Sequence, residues 1–553
     1  MGKIYIHNQN FIIPAERYAG AGEEQSQLDH YLSIKKEAID ELELLYLSVQ
    51  KEDHEKAMIF KAHQEIVDDA IINEEIPAKI INERWAGDWA IYQVYETVLV
   101  VLRQAADPLI SERTADFDDV RAMLLRLWNG KKNEGFALPE ESVIVAAREL
   151  MPSDTANIDK NRVLAIITEK GGLTSHAAII AKSYGIPAVF GVQGLLETVK
   201  QGQLAVVDAN EGEIILDPED DVAGEYVKKS NAFNRSRTEN EKYLKKKGQT
   251  SDGEKIDIGL NIANAETDMA AESYTDFAGL FRTEFLYVGR SSLPSEDEQF
   301  SVYRKVLECY NSRPVILRTL DIGGDKKLSS IKLPHEENPF LGNRALRFCF
   351  SHPDIFKTQI RAALRASLYG NLWLMLPMVT SIDDILKARE YIDTVREELK
   401  KEKKPTGDIK TGIMIEVPSI ALVADLAAKE VDFASIGSND LCQYLCAADR
   451  MNSTVEDYYQ SYHPAMFRLI KETVSSFTGA GKPISICGEL GADEKAVPAL
   501  IGLGLRKFSM GFASIAAVKK TIASISLSQC EKLAEKALKL TNAAEIMKFL
   551  EKN

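Results

Sequence analysis

The residues with the clearest potential for chemistry lie in the stretch GGLTSHAAIIAKSYGIPAVFG. Gly171 and Gly172 permit a tight turn after the apolar run LAIIT. Thr174 or Ser175 can cap the helix that follows, which places His176 in its first turn. Unpaired backbone N–H groups and the positive end of the helix dipole would stabilise a phosphoryl group on this imidazole. A lone histidine near a helix start, by contrast, is usually a cap or a packing residue.

A second set of mostly charged residues follows apolar runs in the C-terminal part of the chain. The set comprises Arg282, Arg318, Lys326, Arg344, Glu416, Asn439, Asp440, Arg450 and Cys487. Most of them stand at or near the end of a strand-like run, and in a parallel barrel such ends share one face. Any one of these charges, considered alone, fits a structural role as well as a functional one. Their joint position at strand ends favours a common pocket.

The residue types in this set predict an anion pocket with a metal ion. Glu416 and Asp440 offer the oxygen ligands that an octahedral Mg²⁺ ion takes together with water and substrate oxygens. The guanidinium groups can bind a phosphate and a carboxylate through paired hydrogen bonds. Cys487 is placed to act as an acid that protonates an enolate carbon, whereas a buried cysteine is most often a packing residue.

Eight apolar runs, separated mostly by helix-length segments, predict the scaffold of this pocket. The runs are KIDIGL, FAGLFRTEF, PVILRTLD, LWLMLPMV, GIMIEVP, FASIGSND, PISICGEL and RKFSMG. Eight parallel strands with helical crossovers predict a (β/α)8 TIM barrel over residues 249–553.

The chain before this barrel predicts further structural regions. Residues 29–128 carry apolar side chains at helical spacing, which predicts a helical bundle. Short β-branched runs closed by Gly, Asp and Pro predict a small α/β domain over residues 1–28 and 129–217, into which the bundle is inserted. The charged stretch 218–248 predicts a helical linker, although its composition equally fits an ordinary solvated helix.

The composition is that of a folded, soluble protein, with 45% hydrophobic and 27% charged residues among 553. This excludes the collagen-like, disordered and disulfide-scaffold classes. The formal net charge of −16 does not favour nucleic acid or anionic lipid as partners, while a locally basic cleft still allows small anionic substrates. Six sparse cysteines, the absence of a signal-peptide pattern and the absence of a membrane-length apolar run predict a cytoplasmic protein.

Several motifs carry a family resemblance. The stretch around His176 resembles the phosphohistidine signature of the phosphoenolpyruvate-utilising enzymes, because its glycines, hydroxyls, histidine and Gly-Ile-Pro-Ala coincide. Over most of its length, the chain resembles the enzyme I family of the bacterial phosphotransferase system, the phosphoenolpyruvate-protein phosphotransferases. The motifs are SHAAIIA, LFRTEFLY, RTLDIGGDK, ENPFLGNRALR, GIMIEVPS, GSNDLCQY with ADR, and CGELGAD. Related dikinases and synthases add a large nucleotide-grasp domain, for which this length leaves no room.

The resemblance implies a role for each candidate residue. His176 would accept the phosphoryl group of phosphoenolpyruvate and pass it to a histidine of the carrier protein HPr, docked on the helical bundle, as the first step of sugar uptake. The histidine domain would swivel, with a hinge in residues 218–248. Glu416 and Asp440 would hold Mg²⁺, Cys487 would protonate the enolate, and the barrel would mediate a homodimer. Phosphoenolpyruvate would be held by Arg282, Arg318, Lys326, Arg344, Asn439 and Arg450.

The chain departs from the family pattern at two places. It begins GKIYIHNQNFIIPAERYAG, where the family usually has a glycine-rich first strand, and Leu173 and Lys182 stand where arginine is common. These departures leave a paralogous enzyme I of a regulatory phosphorelay open as an alternative. A non-catalytic phosphoenolpyruvate sensor is another alternative. A degenerate sensor is expected to lose His176, a pocket arginine or a metal-binding carboxylate, yet all are present.

Overall fold

In the computed structural model, the chain forms two compact units, Met1–Ala232 and Phe233–Asn553. The residues that the structure describes are 1–7, 13–20, 22–50, 54–104, 108–130, 138–151, 154, 159, 161–171, 177–178, 181, 185–263, 265, 268–287, 290, 292–323, 331, 334 and 336–552. Within these ranges, no helix combines the length and the apolar character needed to cross a membrane.

The first unit contains a helical bundle. Its helices are α1 (Glu24–Gln50), α2 (His54–Val67), α3 (Ala70–Asn82), α4 (Gly87–Gln104) and α5 (Pro108–Trp128). Apolar residues recur at helical spacing, so that Ile72, Ile76 and Ile80 form one buried face of α3. Asp69 caps this helix, because its carboxylate accepts hydrogen bonds from the N–H groups of Ile71 and Ile72. The predicted helical bundle is confirmed.

The first unit also contains a six-stranded sheet with the strand order β4-β3-β2-β1-β5-β6. The strands are β1 (Gly2–His7), β2 (Val143–Ala147), β3 (Val163–Thr168), β4 (Ala188–Val189), β5 (Leu204–Asp208) and β6 (Glu213–Leu216), and a short helix α6 (Leu195–Thr198) precedes β5. The first strand pairs in parallel with β2 and antiparallel with β5. The atypical N-terminal segment therefore supplies an inner strand of the α/β domain.

A long helix, α7 (Asp220–Leu244), follows β6 and occupies most of the segment predicted as a helical linker. Most of its side chains are exposed to solvent. At its carboxyl end, the backbone carbonyl of Leu244 accepts a hydrogen bond from Lys519 Nζ at 2.9 Å. The use of this helix as a linker and hinge, like the predicted domain boundaries, stays a prediction.

The second unit is built around a closed barrel of parallel strands. These are β7 (Asp257–Ile262), β8 (Phe277–Phe281), β9 (Pro314–Arg318), β10 (Asn371–Leu376), β11 (Lys410–Ile415), β12 (Phe433–Gly437), β13 (Ile484–Cys487) and β14 (Lys507–Met510). The barrel closes because β14 pairs with β7 and β9 pairs with β10. Each strand corresponds to one of the eight apolar runs in the sequence. The predicted (β/α)8 TIM barrel is confirmed.

Helices surround the barrel, and the strands separate an apolar cluster inside the barrel from a larger one beneath the helices. The helices are α8 (Glu296–Tyr310), α9 (Leu346–Ser351), α10 (Pro353–Ala366), α11 (Ile382–Lys401), α12 (Pro418–Leu422), α13 (Ala424–Glu430), α14 (Ser438–Cys446), α15 (Pro464–Gly479), α16 (Val497–Gly502), α17 (Phe512–Ser524), α18 (Leu527–Ala537) and α19 (Ala543–Glu551). On β12, Phe433 packs in a cluster with Trp373 and Met414 inside the barrel. Its neighbours Ala434 and Ile436 pack in the larger cluster beneath the helices. This alternation is what a barrel strand requires.

Candidate active site

Five strands of the barrel end at, or lead directly into, candidate site residues, and one of them is β8, which Arg282 follows. Arg318 is the last residue of β9, and Cys487 is the last residue of β13. Glu416 follows β11 directly. Asn439 and Asp440 lie in the first turn of α14, immediately after β12. Because the strands are parallel, these positions share the carboxyl face of the barrel, where TIM-barrel enzymes form their active sites.

Arg318 is buried and paired with two carboxylates. Its Nη2 donates a hydrogen bond to Glu284 Oε1 at 2.7 Å, and its Nη1 lies 3.1 Å from Asp321 Oδ2. Burial acts to lower the pKa of this guanidinium, but the charges of Glu284 and Asp321 outweigh burial and raise it above the ordinary value. Arg318 Nε is buried and has no hydrogen-bond partner among the described residues. One donor of this cation therefore remains for an anion.

Arg344 is 1% exposed and joins two carboxylates of the site. Its Nε and Nη2 donate hydrogen bonds to the two oxygens of Asp321 at 2.8 and 3.0 Å. Its Nη1 and Nη2 also donate to the oxygens of Asp440 at 3.2 and 3.3 Å. In addition, Nη1 donates to the Tyr444 hydroxyl at 3.2 Å. This guanidinium is thus shared between a carboxylate that follows β9 and one that follows β12.

Glu416 is fully buried, and one of its carboxylate oxygens is unpaired within the described ranges. Oε1 accepts a hydrogen bond from the backbone N–H of Met378 at 2.6 Å. Oε2 has no hydrogen-bond partner in the part of the chain that the structure describes. Burial, followed by the charges of Asp440 and Asp321, raises the pKa of Glu416 to about 8. Gly437 makes room for this oxygen, since a Cβ there would lie 3.1 Å from Oε2.

Glu416 and Asp440 fit the expected magnesium site. The Oε2 atom of Glu416 is a buried acceptor with no donor among the described residues, and a bound cation would offset the cost of burying that charge. Over the described ranges, no group of three or more His, Cys, Asp and Glu side chains is arranged to hold a metal ion. Two protein carboxylates suit Mg²⁺, because this ion keeps several waters and takes substrate oxygens.

Cys487 is 2% exposed and holds its proton at neutral pH. Burial raises the pKa of its thiol to about 11, and the nearby charge of Arg318 only partly opposes this rise. The thiol donates to the backbone carbonyl of Ile436, with Sγ at 3.5 Å. A thiol that stays protonated is suited to give a proton to a carbon rather than to act as a nucleophile.

Asn439 is held by the turn that follows β13. Its Oδ1 accepts a hydrogen bond from the N–H of Glu489 at 2.9 Å. Gly488 in this turn has φ +94°, and a Cβ there would lie 2.8 Å from Asn439 Oδ1 and closer still to Ser438 Oγ. Ser438 Oγ in turn donates to the carbonyl oxygen of Cys487 at 2.9 Å. Only glycine permits this close approach.

Two further arginines join the network. Arg282 follows β8 directly, and part of its side chain reaches solvent. Partial burial of its guanidinium, followed by repulsion from Arg318, lowers the pKa of this group. Arg450 Nη2 lies 3.8 Å from Asp440 Oδ1. The described part of the site thus joins the guanidiniums of Arg282, Arg318, Arg344 and Arg450 with the carboxylates of Glu284, Asp321, Glu416 and Asp440.

Two predicted site residues, His176 and Lys326, lie outside the described residues, as do Leu173 and Lys182. Gly171, which precedes the histidine stretch, has φ +95°, as a tight turn requires. Ala177, which follows His176, is helical and packs in a cluster with apolar residues of β2 and β3. The position of the His176 ring stays a prediction from the sequence.

Three residues of the network were not predicted from the sequence: Glu284, Asp321 and Tyr444. Glu284 stands two residues after Arg282, and Asp321 stands three residues after Arg318, within motifs already identified. The signal that points to both carboxylates is charge balance, because a buried guanidinium needs a counter-charge. Tyr444 lies one helical turn after Asp440 on α14, a spacing that places both side chains on one face.

Three protein-family models match consecutive parts of the chain. The model described as "PEP-utilising enzyme, N-terminal" matches residues 1–113, and "PEP-utilising enzyme, mobile domain" matches residues 139–212. The model described as "PEP-utilising enzyme, PEP-binding domain" matches residues 237–527, which include the described site residues at the carboxyl face of the barrel.

Curated proteins are similar over almost the whole chain. The phosphoenolpyruvate-protein phosphotransferase of Staphylococcus carnosus is 40% identical over 499 residues, which cover 90% of this chain and 87% of that protein. The protein of the same name from Bacillus subtilis is 38% identical over 529 residues, which cover 95% and 92%. Among solved structures, an NMR solution structure of an Enzyme I protein is 31% identical and covers 42% of this chain and 94% of that chain, with a TM-score of 0.37.

Proposed function

Since the chain belongs to the phosphoenolpyruvate-protein phosphotransferases within the phosphoenolpyruvate-utilising enzymes, we propose that it transfers the phosphoryl group of phosphoenolpyruvate to His176 and then to a histidine of HPr. Pyruvate is released, and the transfer is the first step of phosphotransferase-system sugar uptake. The observation that carries the proposal is that buried guanidiniums, a protonated thiol and a carboxylate oxygen with no hydrogen-bond partner among the described residues meet at the carboxyl face of the barrel.

The substrate carries a phosphate and a carboxylate, and both groups match the planar guanidinium. The donor at Arg318 Nε, which has no partner among the described residues, supports a direct contact with one of these anionic groups. Burial keeps the guanidiniums of Arg318 and Arg344 fixed before substrate arrives, so little reorganisation is needed on binding. The proposed substrate-binding residues are Arg282, Arg318, Lys326, Arg344, Asn439 and Arg450.

We assign the proposed Mg²⁺ site to Glu416 and Asp440. A bound Mg²⁺ ion would draw negative charge from the phosphoryl and enolate oxygens of the substrate. The raised pKa of Glu416 is consistent with a carboxylate built to meet a cation, because the same burial that favours its protonated form makes pairing with a metal favourable. Arg344 contacts both oxygens of Asp440 and so shares that carboxylate with the proposed ion.

In the first transfer, the bond between phosphorus and the enol oxygen breaks, and a bond forms between phosphorus and a ring nitrogen of His176. The pocket arginines stabilise the charge on the transferring group throughout this step. The remaining enolate becomes pyruvate when its methylene carbon takes the proton of Cys487, and the thiolate regains a proton from water. In the second transfer, the phosphoryl group passes from His176 to a histidine nitrogen of HPr.

The proposed docking segment for HPr is the helical bundle. Residues 29–128 contain 21 acidic and 11 basic side chains, so this segment holds most of the excess negative charge of the chain. Such a segment favours a partner with a basic face, and electrostatic attraction would speed the encounter.

The transfer requires His176, which belongs to the first unit, to reach both the barrel pocket and HPr. We place the hinge for this movement in residues 218–248, where α7 is largely exposed and is hydrogen-bonded at its carboxyl end to Lys519. We further propose that the barrel mediates a homodimer, as in the family that the chain resembles.

Incubation with phosphoenolpyruvate carrying a labelled phosphate, in the presence of Mg²⁺, tests the proposal. The protein should acquire an acid-labile label, which His176→Ala abolishes and which the matched variant His30→Ala, at an exposed histidine of α1, leaves unchanged. Added HPr should remove the label. An acid-stable label, or one that persists in His176→Ala, would place the chemistry on another side chain, while a label that HPr cannot remove would favour the regulatory phosphorelay.

A further inference from the structure

Asp321 is a fully buried carboxylate that lies between two buried guanidiniums. Its Oδ1 accepts a hydrogen bond from Arg344 Nε at 2.8 Å, and its Oδ2 accepts one from Arg344 Nη2 at 3.0 Å. The same Oδ2 lies 3.1 Å from Arg318 Nη1. One acidic side chain therefore links both of the cations that are expected to hold the substrate.

Backbone hydrogen bonds to two other buried side chains, in addition to the contacts with the arginines, fix the position of this carboxylate. The N–H of Asp321 donates to Glu284 Oε1 at 3.2 Å, and the N–H of Leu320 donates to Gln359 Oε1 at 2.8 Å. Glu284 Oε1 also accepts the hydrogen bond from Arg318 Nη2. The loop after β9 is thus anchored to two buried side chains, so Asp321 can act as a fixed reference for the guanidiniums.

Without Asp321, two forces would move the arginines. Arg318 and Arg344 would repel each other at close range in a buried site. Arg344 would also turn fully towards Asp440, to which it already donates at 3.2 and 3.3 Å. That movement would occupy a proposed metal-binding carboxylate and would withdraw a guanidinium from the substrate.

We propose that Asp321 is a positioning residue for phosphoenolpyruvate, which it serves by holding Arg318 and Arg344 together against their mutual repulsion and by keeping Arg344 from closing on Asp440. The inference rests on the proposed function, because it assumes that this pocket binds phosphoenolpyruvate. It assigns to Asp321 no contact with the substrate. The donor at Arg318 Nε, unpartnered among the described residues, is the group that this arrangement presents to an anion.

The direction in which removal of the Asp321 charge changes anion affinity distinguishes a positioning role from a purely electrostatic one. Removing a negative charge from an anion site strengthens the binding of an anion when the charge acts only through its field. Loss of positioning weakens that binding, because the arginines must then be ordered when the substrate binds. Asp321→Asn therefore gives opposite outcomes under the two accounts.

The test measures binding of phosphoenolpyruvate and Mg²⁺ by calorimetry to the full chain carrying His176→Ala, so that no phosphoryl acceptor is present. We expect Asp321→Asn, added to this parent, to weaken binding by about 10- to 100-fold. The matched control is Asp257→Asn, which removes a carboxylate paired with Lys255 and Lys507 at the amino end of the barrel and should leave binding unchanged. Equal or tighter binding by Asp321→Asn would overturn the inference.

Two further variants keep the result clear of folding defects. Asp321→Glu preserves the charge but displaces the carboxylate by one methylene, so we expect it to bind weakly as well; binding equal to that of the parent would overturn the inference. In an Arg344→Lys background, Asp321→Asn should weaken binding several-fold less than in the parent, since it acts through Arg344. If the parent itself binds no phosphoenolpyruvate, the proposed function fails and the inference fails with it, whereas parental binding with unaffected Asp321 variants overturns the inference alone.

Discussion

Replacing Gly488 with alanine should distort the site from the turn beneath it. The residue has φ +94°, and an added Cβ would lie 2.8 Å from Asn439 Oδ1 and nearer still to Ser438 Oγ. A non-glycine residue in this region of backbone space costs about 1–3 kcal/mol. Displacing Ser438 also breaks its hydrogen bond to the Cys487 carbonyl, worth about 1 kcal/mol. We therefore expect the free energy of unfolding of the barrel unit to fall by about 2–4 kcal/mol.

The same substitution should reduce activity, because Asn439 and Cys487 are held by this turn. A displacement of about 1 Å in a catalytic group lowers the rate by about 100-fold, so kcat/KM for phosphoenolpyruvate should fall by about that factor. Activity is measured as pyruvate release with HPr as acceptor. Stability is measured by calorimetry or by denaturant unfolding monitored by fluorescence.

Gly511→Ala is the matched control for this experiment. Gly511 also follows the carboxyl end of a barrel strand, but it has φ −68°, and a Cβ added there would meet nothing within 4 Å. Alanine should therefore leave activity unchanged there and raise stability by up to about 1 kcal/mol. If Gly488→Ala matches Gly511→Ala in both stability and activity, the reasoning about the turn is wrong.

Three other predictions follow from the site and the bundle. The pKa of the Cys487 thiol is raised to about 11 in the folded protein. The stabilisation that this shift gives is complete below the ordinary thiol pKa of about 8.5 and is lost as pH rises to about 11. Cys487→Ala should therefore flatten the pH dependence of the free energy of unfolding in this window, measured by urea unfolding, and should slow pyruvate formation. Raising ionic strength from about 0.05 to about 0.5 M should raise the KM for HPr, since the bundle is acidic; an unchanged KM would exclude electrostatic docking. A covalent crosslink between the two units should stop turnover in the same transfer assay, and undiminished transfer would refute the swivelling movement.

The barrel could be predicted because its strands are buried on both faces and read as continuous apolar runs closed by charged residues. The runs PVILRTLD and PISICGEL contain the strands that end at Arg318 and Cys487. The position of the N-terminal strand in the sheet was harder to predict, since the segment GKIYIH does not indicate which strands pair with it. Its inner position in the sheet depends on pairing with residues 143–147 and 204–205, contacts that are distant along the chain.

Several of the residues that meet at the carboxyl face of the barrel could be predicted, whereas Glu284, Asp321, Tyr444 and the pairings between side chains could not. Glu416 and Asp440 could be predicted because each stands at the end of an apolar run, and such ends can be recognised in the sequence. The hydrogen bond from the backbone of Met378 to Glu416 could not be predicted, because a backbone donor has no sequence signature. Nor could the sharing of Arg344 between Asp321 and Asp440, which depends on where a loop between two strands folds back.

The central claim is that the barrel pocket donates one phosphoryl group to His176 for each phosphoenolpyruvate consumed. A single-turnover experiment without HPr measures this directly, by comparing the amount of pyruvate released with the amount of acid-labile phosphate on the protein. We predict equal amounts in the unmodified chain and neither product in His176→Ala. Pyruvate released in excess of protein-bound phosphate, or continued release by His176→Ala, would contradict the account.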